Sequence, residues 1–147
     1  MTGYRKREVL PEDATVQARI TSAALVRGQF GRQVEVDALV TEGQYRGTQL
    51  HDWFSFATDK KSGEEYVSYG GRLFNLLSLA ERDLDDKLLD AEPKGEVDKV
   101  ITEVVRRLEG VEFLSRLTVK KPDDPDKKRN AFDAGSMGPA EAPAAPF

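Results

Sequence analysis

Aromatic and cationic side chains recur together in the turns of the first half of the sequence. The stretch RGQFGR places Phe30 between Arg27 and Arg32, and the next turn, TEGQYRG, pairs Tyr45 with Arg46. Single-stranded nucleic acids are bound by cationic grooves in which aromatic rings stack on the bases. The combination therefore predicts a surface that binds a single-stranded nucleic acid.

The same two residue types continue along the strands and into the following polar loop. Arg19 has the outward parity of the first predicted strand, and Trp53 has the outward parity of the third. The loop at 58–71 adds further lysines and tyrosines. The predicted nucleic-acid-binding residues are Arg19, Arg27, Phe30, Arg32, Tyr45, Arg46, Trp53, Lys60, Lys61, Tyr66, Tyr69 and Arg72.

Each aromatic residue in this set also has a structural interpretation. Exposed rings are usually kept for contact, but Phe30, Tyr45 and Tyr66 can instead fold back onto the ends of the sheet. Trp53 belongs to the core if a helix covers its face of the third strand. The sequence leaves both alternatives open.

Catalytic and metal-binding patterns are missing from the sequence. It has one histidine, His51, no cysteine, and none of the HExxH, GxSxG, Walker or GxGxxG motifs. The run containing Asp83, Asp85, Asp86 and Asp90 lacks the glycine-centred loop of a calcium hand, and a solvated acidic face explains it better than a nuclease site. We expect no enzyme, no cofactor and no metal.

Composition indicates one domain outside the membrane. The chain has 147 residues, of which 39% are hydrophobic and 33% charged. No apolar run approaches the ~18 residues of a membrane span, and no apolar segment follows the basic N-terminus to form a secretory signal. The absence of cysteine fits the cytoplasm, which is the host cell cytoplasm if the chain is phage-encoded.

Net charge counts against a nucleic-acid-binding protein, although its distribution is uneven. The formal charge is −4 and the pI about 5.2, whereas nucleic-acid-binding domains are more often basic. Residues 81–98 hold eight acidic residues against three basic ones. A local basic surface on the first half of the chain therefore remains compatible with the acidic total.

Hydrophobic periodicity predicts three strands, helices and two more strands. Period-two alternation marks strands over 16–21, 34–40 and 48–57, and helical spacing marks 73–80 and 97–108. Strands follow over 111–119 and 129–132. We divide the chain into a polar arm (1–13), a domain (14–134) with an acidic helical insertion (81–109), and a disordered tail (135–147) ending in Pro-Phe.

This element order predicts a mainly β fold with helices, in which a five-stranded oligonucleotide-binding (OB) barrel carries the helical insertion between its third and fourth strands. In such barrels the loops after strands one and four flank the binding face. A small α+β sheet of another topology fits the periodicity almost as well.

The residues 16–56 resemble the opening of a family of phage single-stranded DNA-binding proteins. The matching motifs are a Gly28-x-Phe30-Gly31 turn, a Gly43-x-Tyr45-x-Gly47 turn and Leu50-x-Asp52-Trp53. The likeness extends over roughly 14–133 through GGRLFNLLSLA and LEGVEFLSRLTVKK. It implies an OB fold and sequence-tolerant binding of single-stranded DNA in replication or recombination.

The resemblance also implies a role for the final Pro146 and Phe147. Related tails end in Pro-Phe or Phe and dock on replication and recombination proteins, where an apolar pocket rimmed by cations receives the ring and the carboxylate. Those tails are acidic, whereas the only acidic residues between 130 and 147 are Asp133 and Glu141. A featureless low-complexity end is the alternative interpretation.

A different class of function also fits the sequence. The acidic 81–98 segment and the exposed aromatics suit a protein-interaction module, such as a phage inhibitor of a host factor. A homo-oligomer is compatible with either function. Affinity for single-stranded DNA separates the two.

Overall fold

Three antiparallel strands open the fold, as the alternation predicts. The computed structural model describes residues 9–29, 31–121, 123–124 and 126–140, so the predictions for Phe30, Pro146 and Phe147 lie outside the described residues. The strands are β1 (Thr15–Gly28), β2 (Gly31–Val40) and β3 (Gln49–Ser55). In β2 and β3 every second residue is buried, which is the pattern of a sheet with one face on the core.

Strand β1 is longer than predicted and pairs with two neighbouring strands. Its residues 18–28 pair with β2, while residues 15–19 pair with a later strand, β6 (Glu112–Lys120). The register with β2 shifts between Ile20 and Ser22, where the Thr21 hydroxyl donates to the Asp37 carbonyl oxygen at 3.2 Å. This bulge bends β1 between its two partners.

A small hairpin occupies the segment predicted as a polar loop. Strands β4 (Ala57–Thr58) and β5 (Glu65–Tyr66) pair antiparallel as a separate two-stranded sheet. Their turn is held by Asp59, whose side chain accepts from the Lys61 amide at 2.8 Å. Gly63 has a φ of 75°, a conformation that favours glycine in the turn.

Three helices follow, and two of them were predicted. They are α1 (Arg72–Ser78), α2 (Leu84–Ala91) and α3 (Val97–Leu108). Helix α3 lies on β1 and buries Ile101, Val104, Val105 and Leu108. The sequence interpretation placed residues 84–91 in an acidic helical insertion without assigning α2 as a separate helix. Pro93 and Gly95 lie beyond the end of this helix.

The chain then completes a six-stranded antiparallel sheet. After β6 come β7 (Arg129–Phe132), which coincides with the predicted fifth strand, and β8 (Gly138–Pro139). The strand order is β3-β2-β1-β6-β7, with β8 beside β6. The architecture is therefore mainly β with helices, as predicted. Hydrogen-bonded pairing does not close the sheet into the predicted barrel, because β3 and β7 remain edge strands.

The buried carboxylate of Asp52 connects these two edges. Since each neighbouring pair is antiparallel, β3 and β7 run in the same direction. Asp52 on β3 is 1% exposed, and its Oδ2 accepts from the Phe132 amide of β7 at 2.9 Å and from Arg72 Nη2 at 2.6 Å. Its Oδ1 accepts from the Trp53 amide at 2.8 Å and lies 3.4 Å from Arg129 Nη1. A side chain thus bridges the edges where strand pairing is absent.

Contacts with the sheet extend beyond both predicted limits of the domain. The polar arm was predicted to extend to residue 13, but Leu10 is buried and exchanges hydrogen bonds with Asn130 through its amide and carbonyl groups. The disordered tail was predicted to begin at 135, but Gly138 and Pro139 pair with Leu114 and Phe113 of β6. Glycine and proline are tolerated at a sheet edge. Residues 1–8 and 141–147 lie outside the described residues.

A single hydrophobic core lies between the sheet and the helices. Its fully buried members include Ile20, Val36, Phe54, Leu76 and Phe113. None of the helices in the described part of the chain combines the length and apolar character that crossing a bilayer requires.

Glu81 holds the loop between α1 and α2 in place through hydrogen bonds to its carboxylate. The pKa of this carboxylate links the stability of the fold to acid pH. Its carboxylate accepts from Lys87 Nζ at 2.7 Å, Arg107 Nη2 at 2.8 Å and the Asp83 amide at 3.2 Å. These hydrogen bonds, the one from Lys87 first, lower the pKa of Glu81 from 4.5 to about 2.

We therefore expect Glu81 to stabilise the fold above pH 4.5 and to lose that contribution as the pH falls towards 2. Thermal melts between pH 7 and pH 2 should show a higher melting temperature for the wild type than for Glu81→Gln at neutral pH. This difference in melting temperature should become smaller as the pH falls. Glu103→Gln, an exposed change on α3, controls for the loss of one charge. A difference in melting temperature that stays constant across this pH range contradicts the expectation.

Candidate nucleic-acid interface

The outward faces of β2 and β3 bring polar and aromatic side chains into one row. Antiparallel pairing places Leu39 opposite Gln49, Asp37 opposite His51 and Glu35 opposite Trp53. Because alternate residues of a strand share a face, Gln49, His51 and Trp53 lie in sequence along the outer side of β3.

Trp53 lies on this outer face and outside the hydrophobic core. Its side chain is partly exposed, and the ring of His51 packs beside it with centroids 4.4 Å apart at 51°. The guanidinium carbon of Arg129, from β7, lies 5.4 Å from the indole centroid. An aromatic ring flanked by a cation on an exposed sheet face is the arrangement on which a nucleobase can stack.

His51 is held between the two carboxylates of β2. Its Nδ1 lies 2.6 Å from Asp37 Oδ1 and its Nε2 lies 2.9 Å from Glu35 Oε1. The Nε2 contact is within ion-pair distance but lacks hydrogen-bond geometry, so this buried nitrogen makes no hydrogen bond to the described residues. The carboxylates beside Trp53 are therefore directed towards the imidazole.

Lys128 and Arg129 adjoin Trp53 and were absent from the predicted set. They line a recess of about 80 Å³ together with Gln49, His51 and Trp53. The recess is smaller than a base, so it is an indentation beside the ring. The signal that could have identified them was the KKR run at 127–129, in the loop after the fourth predicted strand, because that loop flanks the binding face of an OB barrel.

Arg19 and Arg46 extend the row at the turn between β2 and β3. Both are exposed, and they share a shallow recess of about 310 Å³ with Leu39, which pairs with Gln49. Glu42 and Glu112 line the same recess and reduce its positive potential. We call this surface the Trp53 strip: Arg19, Arg46, Gln49, His51, Trp53, Lys128 and Arg129.

Arg32, although predicted to bind nucleic acid, is engaged in contacts within the fold. Its Nε lies 3.1 Å from Glu65 and its Nη1 lies 3.1 Å from Asp98, while the guanidinium lies 4.5 Å from the centroid of the Phe56 ring. The Arg32 amide donates to Glu65 at 2.6 Å, and this bond is the main reason that the pKa of Glu65 is lowered.

Arg72 is likewise engaged within the fold. It donates to Asp52, to the Trp53 carbonyl oxygen at 3.0 Å and to the Phe132 carbonyl oxygen at 3.1 Å. Its guanidinium lies 4.5 Å from the centroid of the Phe54 ring. A guanidinium with these partners connects β3 to β7 and has fewer donors left for a phosphate.

The other predicted residues are placed away from the Trp53 strip. Tyr45 is partly buried against the core, as its structural interpretation allowed. Arg27 lies opposite Arg32 in the strand register at the end of the β1–β2 hairpin. Lys60 and Lys61 are exposed at the turn between β4 and β5. Tyr66 and Tyr69 line a separate groove. The structure thus brings together Arg19, Arg46 and Trp53 from the predicted set.

Comparisons of the chain with models of protein families, with curated proteins and with solved structures find no match. Within residues 9–29, 31–121, 123–124 and 126–140, no cluster of three or more histidine, aspartate or glutamate side chains is arranged to hold a metal ion.

Proposed function

We propose that this chain is a non-enzymatic OB-fold protein that binds single-stranded DNA without sequence preference through the Trp53 strip. The observation that carries the proposal is the partly exposed Trp53 on the outer sheet face, flanked by Arg129 at 5.4 Å and bordered by Lys128. Stacking on an aromatic ring accepts every base, because each base has a π face.

The arrangement of the strands supports the OB assignment. The order β3-β2-β1-β6-β7, with the three α-helices between the third and the fourth of the five main strands in sequence, is the order that an OB barrel would have. The edges that such a barrel would close, β3 and β7, run in the same direction and are bridged by Asp52. The Trp53 strip runs from Arg19 of β1 and the turn between β2 and β3 along β3 to the loop before β7. This is the region where OB proteins bind their ligands.

The charges of the strip limit the electrostatic part of binding. The strip has four cations, Arg19, Arg46, Lys128 and Arg129, of which Arg129 also lies 3.4 Å from Asp52, while Glu35 and Asp37 lie on the same face. If all four neutralise a phosphate, the logarithm of the binding constant should fall with the logarithm of the salt concentration with a slope of about −3. Stacking then supplies a large share of the affinity.

The same proposal includes a role in replication or recombination and the docking of Pro146 and Phe147 on replication or recombination proteins, both of which follow from the resemblance. It also includes a cytoplasmic location, which rests on the cysteine-free composition. The rival interpretation as a protein-interaction module finds its support in a different surface, the groove between the β4–β5 hairpin and the helices.

The proposal is tested by fluorescence anisotropy of a labelled oligo-dT strand and a duplex of equal length, each at two salt concentrations. We expect binding to the single strand and much weaker binding to the duplex, with Trp53 emission quenched in the same titration. Absence of binding to the single strand at low salt would refute the proposal.

A charge reversal at Lys128 should weaken this binding in a salt-dependent manner. Lys128→Glu removes one phosphate contact and adds repulsion, so we expect lower affinity at low salt and a slope reduced by about 0.7 or more. Lys99→Glu on α3 makes the same charge change away from the Trp53 strip. Equal losses in the two variants would show that net charge, rather than the strip, governs the affinity.

A further inference from the structure

A second surface, distinct from the Trp53 strip, lies between the β4–β5 hairpin and the helices. It is a groove of about 980 Å³, at the upper end of the range for clefts that hold ligands. Its apolar lining includes Phe56, Val67, Phe74, Leu88 and Ile101. We call it the acidic groove, for the charges described below.

Exposed apolar side chains concentrate at the rim of the acidic groove. In the described chain four large apolar or aromatic side chains are strongly exposed, and three of them, Tyr66 (49%), Tyr69 (76%) and Leu89 (58%), line this groove. The Tyr69 ring packs on Phe74 with centroids 4.9 Å apart. Clustered exposed apolar surface marks a contact site more reliably than scattered residues do.

The charge of the groove is strongly one-sided. Five carboxylates and one guanidinium line it, and the guanidinium, Arg32, pairs with Glu65 and Asp98. The remaining three, Glu64, Asp85 and Glu92, have no basic side chain within salt-bridge distance among the described residues. An occupant must therefore supply positive charge as well as apolar surface.

These requirements distinguish between classes of occupant. A DNA strand is repelled, because its phosphates would approach three unpaired carboxylates. A protein segment with lysine or arginine beside leucine or an aromatic residue matches both the floor and the rim.

We propose that the acidic groove binds a basic amphipathic segment of a partner protein, with its apolar side chains on Phe74 and Leu88 and its cations beside Glu64, Asp85 and Glu92. Such a site is independent of DNA binding at the Trp53 strip, so one molecule can hold a DNA strand and a protein partner together.

The probe is a short labelled peptide of alternating lysine and leucine with one tryptophan, titrated by anisotropy into the full chain. Asp85→Lys should weaken its binding about tenfold by placing a like charge at the rim. Asp86→Lys is the matched control, because both residues lie in the first turn of α2 but only Asp85 lines the groove. Both changes act equally on the helix dipole, so their melting curves should agree while their affinities differ.

Four further measurements test the proposal. Leu89→Ser should weaken the binding of the peptide at least threefold. The protein should lose little stability, since Leu89 is 58% exposed. Oligo-dT should not displace the peptide. The proposal is refuted by equal effects of Asp85→Lys and Asp86→Lys, by equal binding of a peptide with glutamate in place of lysine, or by tighter binding of MTGYRKREV, which would make the chain's own basic arm the occupant.

Discussion

Trp53→Ala is expected to weaken the binding of oligo-dT by about 1–3 kcal/mol, which corresponds to roughly 5- to 150-fold in the dissociation constant. The reason is that Trp53 presents its indole, partly exposed, on the outer face of β3, with Arg129 and His51 beside it. The cations of the strip remain in this variant, so the salt slope should change little while the affinity falls. Anisotropy at two salt concentrations measures both quantities.

Two companion variants separate stacking from folding and from location. Trp53→Phe keeps an aromatic face and should retain most of the affinity. Tyr69→Ala removes an aromatic ring that was predicted to bind DNA but lies in the acidic groove, and we expect it to leave oligo-dT affinity unchanged. If Tyr69→Ala lowers the affinity for oligo-dT as much as Trp53→Ala does, the DNA interface is centred elsewhere. A lowered melting temperature for Trp53→Ala would assign its effect to packing.

The largest expected effect on stability comes from Asp52→Ala, about 3–5 kcal/mol. The substitution leaves the Phe132 amide without its buried acceptor and leaves Arg72 and Arg129 without their common carboxylate. It also removes the link between β3 and β7. Domains are stable by only about 5–15 kcal/mol, so urea unfolding should show a markedly lower midpoint.

Asp37→Ala is the matched control for Asp52→Ala. Its carboxylate also belongs to the sheet and contacts a basic side chain, His51, but it is 48% exposed, so its loss should cost under about 1 kcal/mol. Asp52→Asn should fall between the two, because the amide keeps one acceptor oxygen. Similar midpoints for Asp52→Ala and Asp37→Ala would show that the Asp52 bridge does not stabilise the fold.

Local periodicity was sufficient to predict the elements that bury one regular face. The alternating valines of β2, the helical spacing of α3 and the RNAF strand appear where the pattern places them. Helix α2 was not assigned as a separate helix because its acidic composition masked a short apolar stripe of Leu84 and Leu88. The ordering of 135–140 depends on pairing with β6, a contact between segments distant in sequence that no local pattern reveals.

The candidate site was predictable where exposure follows from strand parity, as for Arg19 and Trp53. The partners of Arg32 and Arg72 within the fold were not predictable, because the carboxylates are distant in sequence: Glu65 is 33 residues from Arg32, and Asp52 is 20 residues from Arg72. A sequence shows that a guanidinium is present but not whether the fold already occupies it. Lys128 and Arg129 became members of the strip only because β7 returns beside β3.

The length of β1 has a consequence for the order in which the chain assembles. Residues 18–28 pair with β2, which is near in sequence, whereas residues 15–19 pair with residues 112–116. During synthesis, the first three strands can therefore form a meander while the start of β1 still has an unpaired edge. Until β6 has left the ribosome, that edge is unpaired and can pair with another chain, which exposes the nascent protein to aggregation.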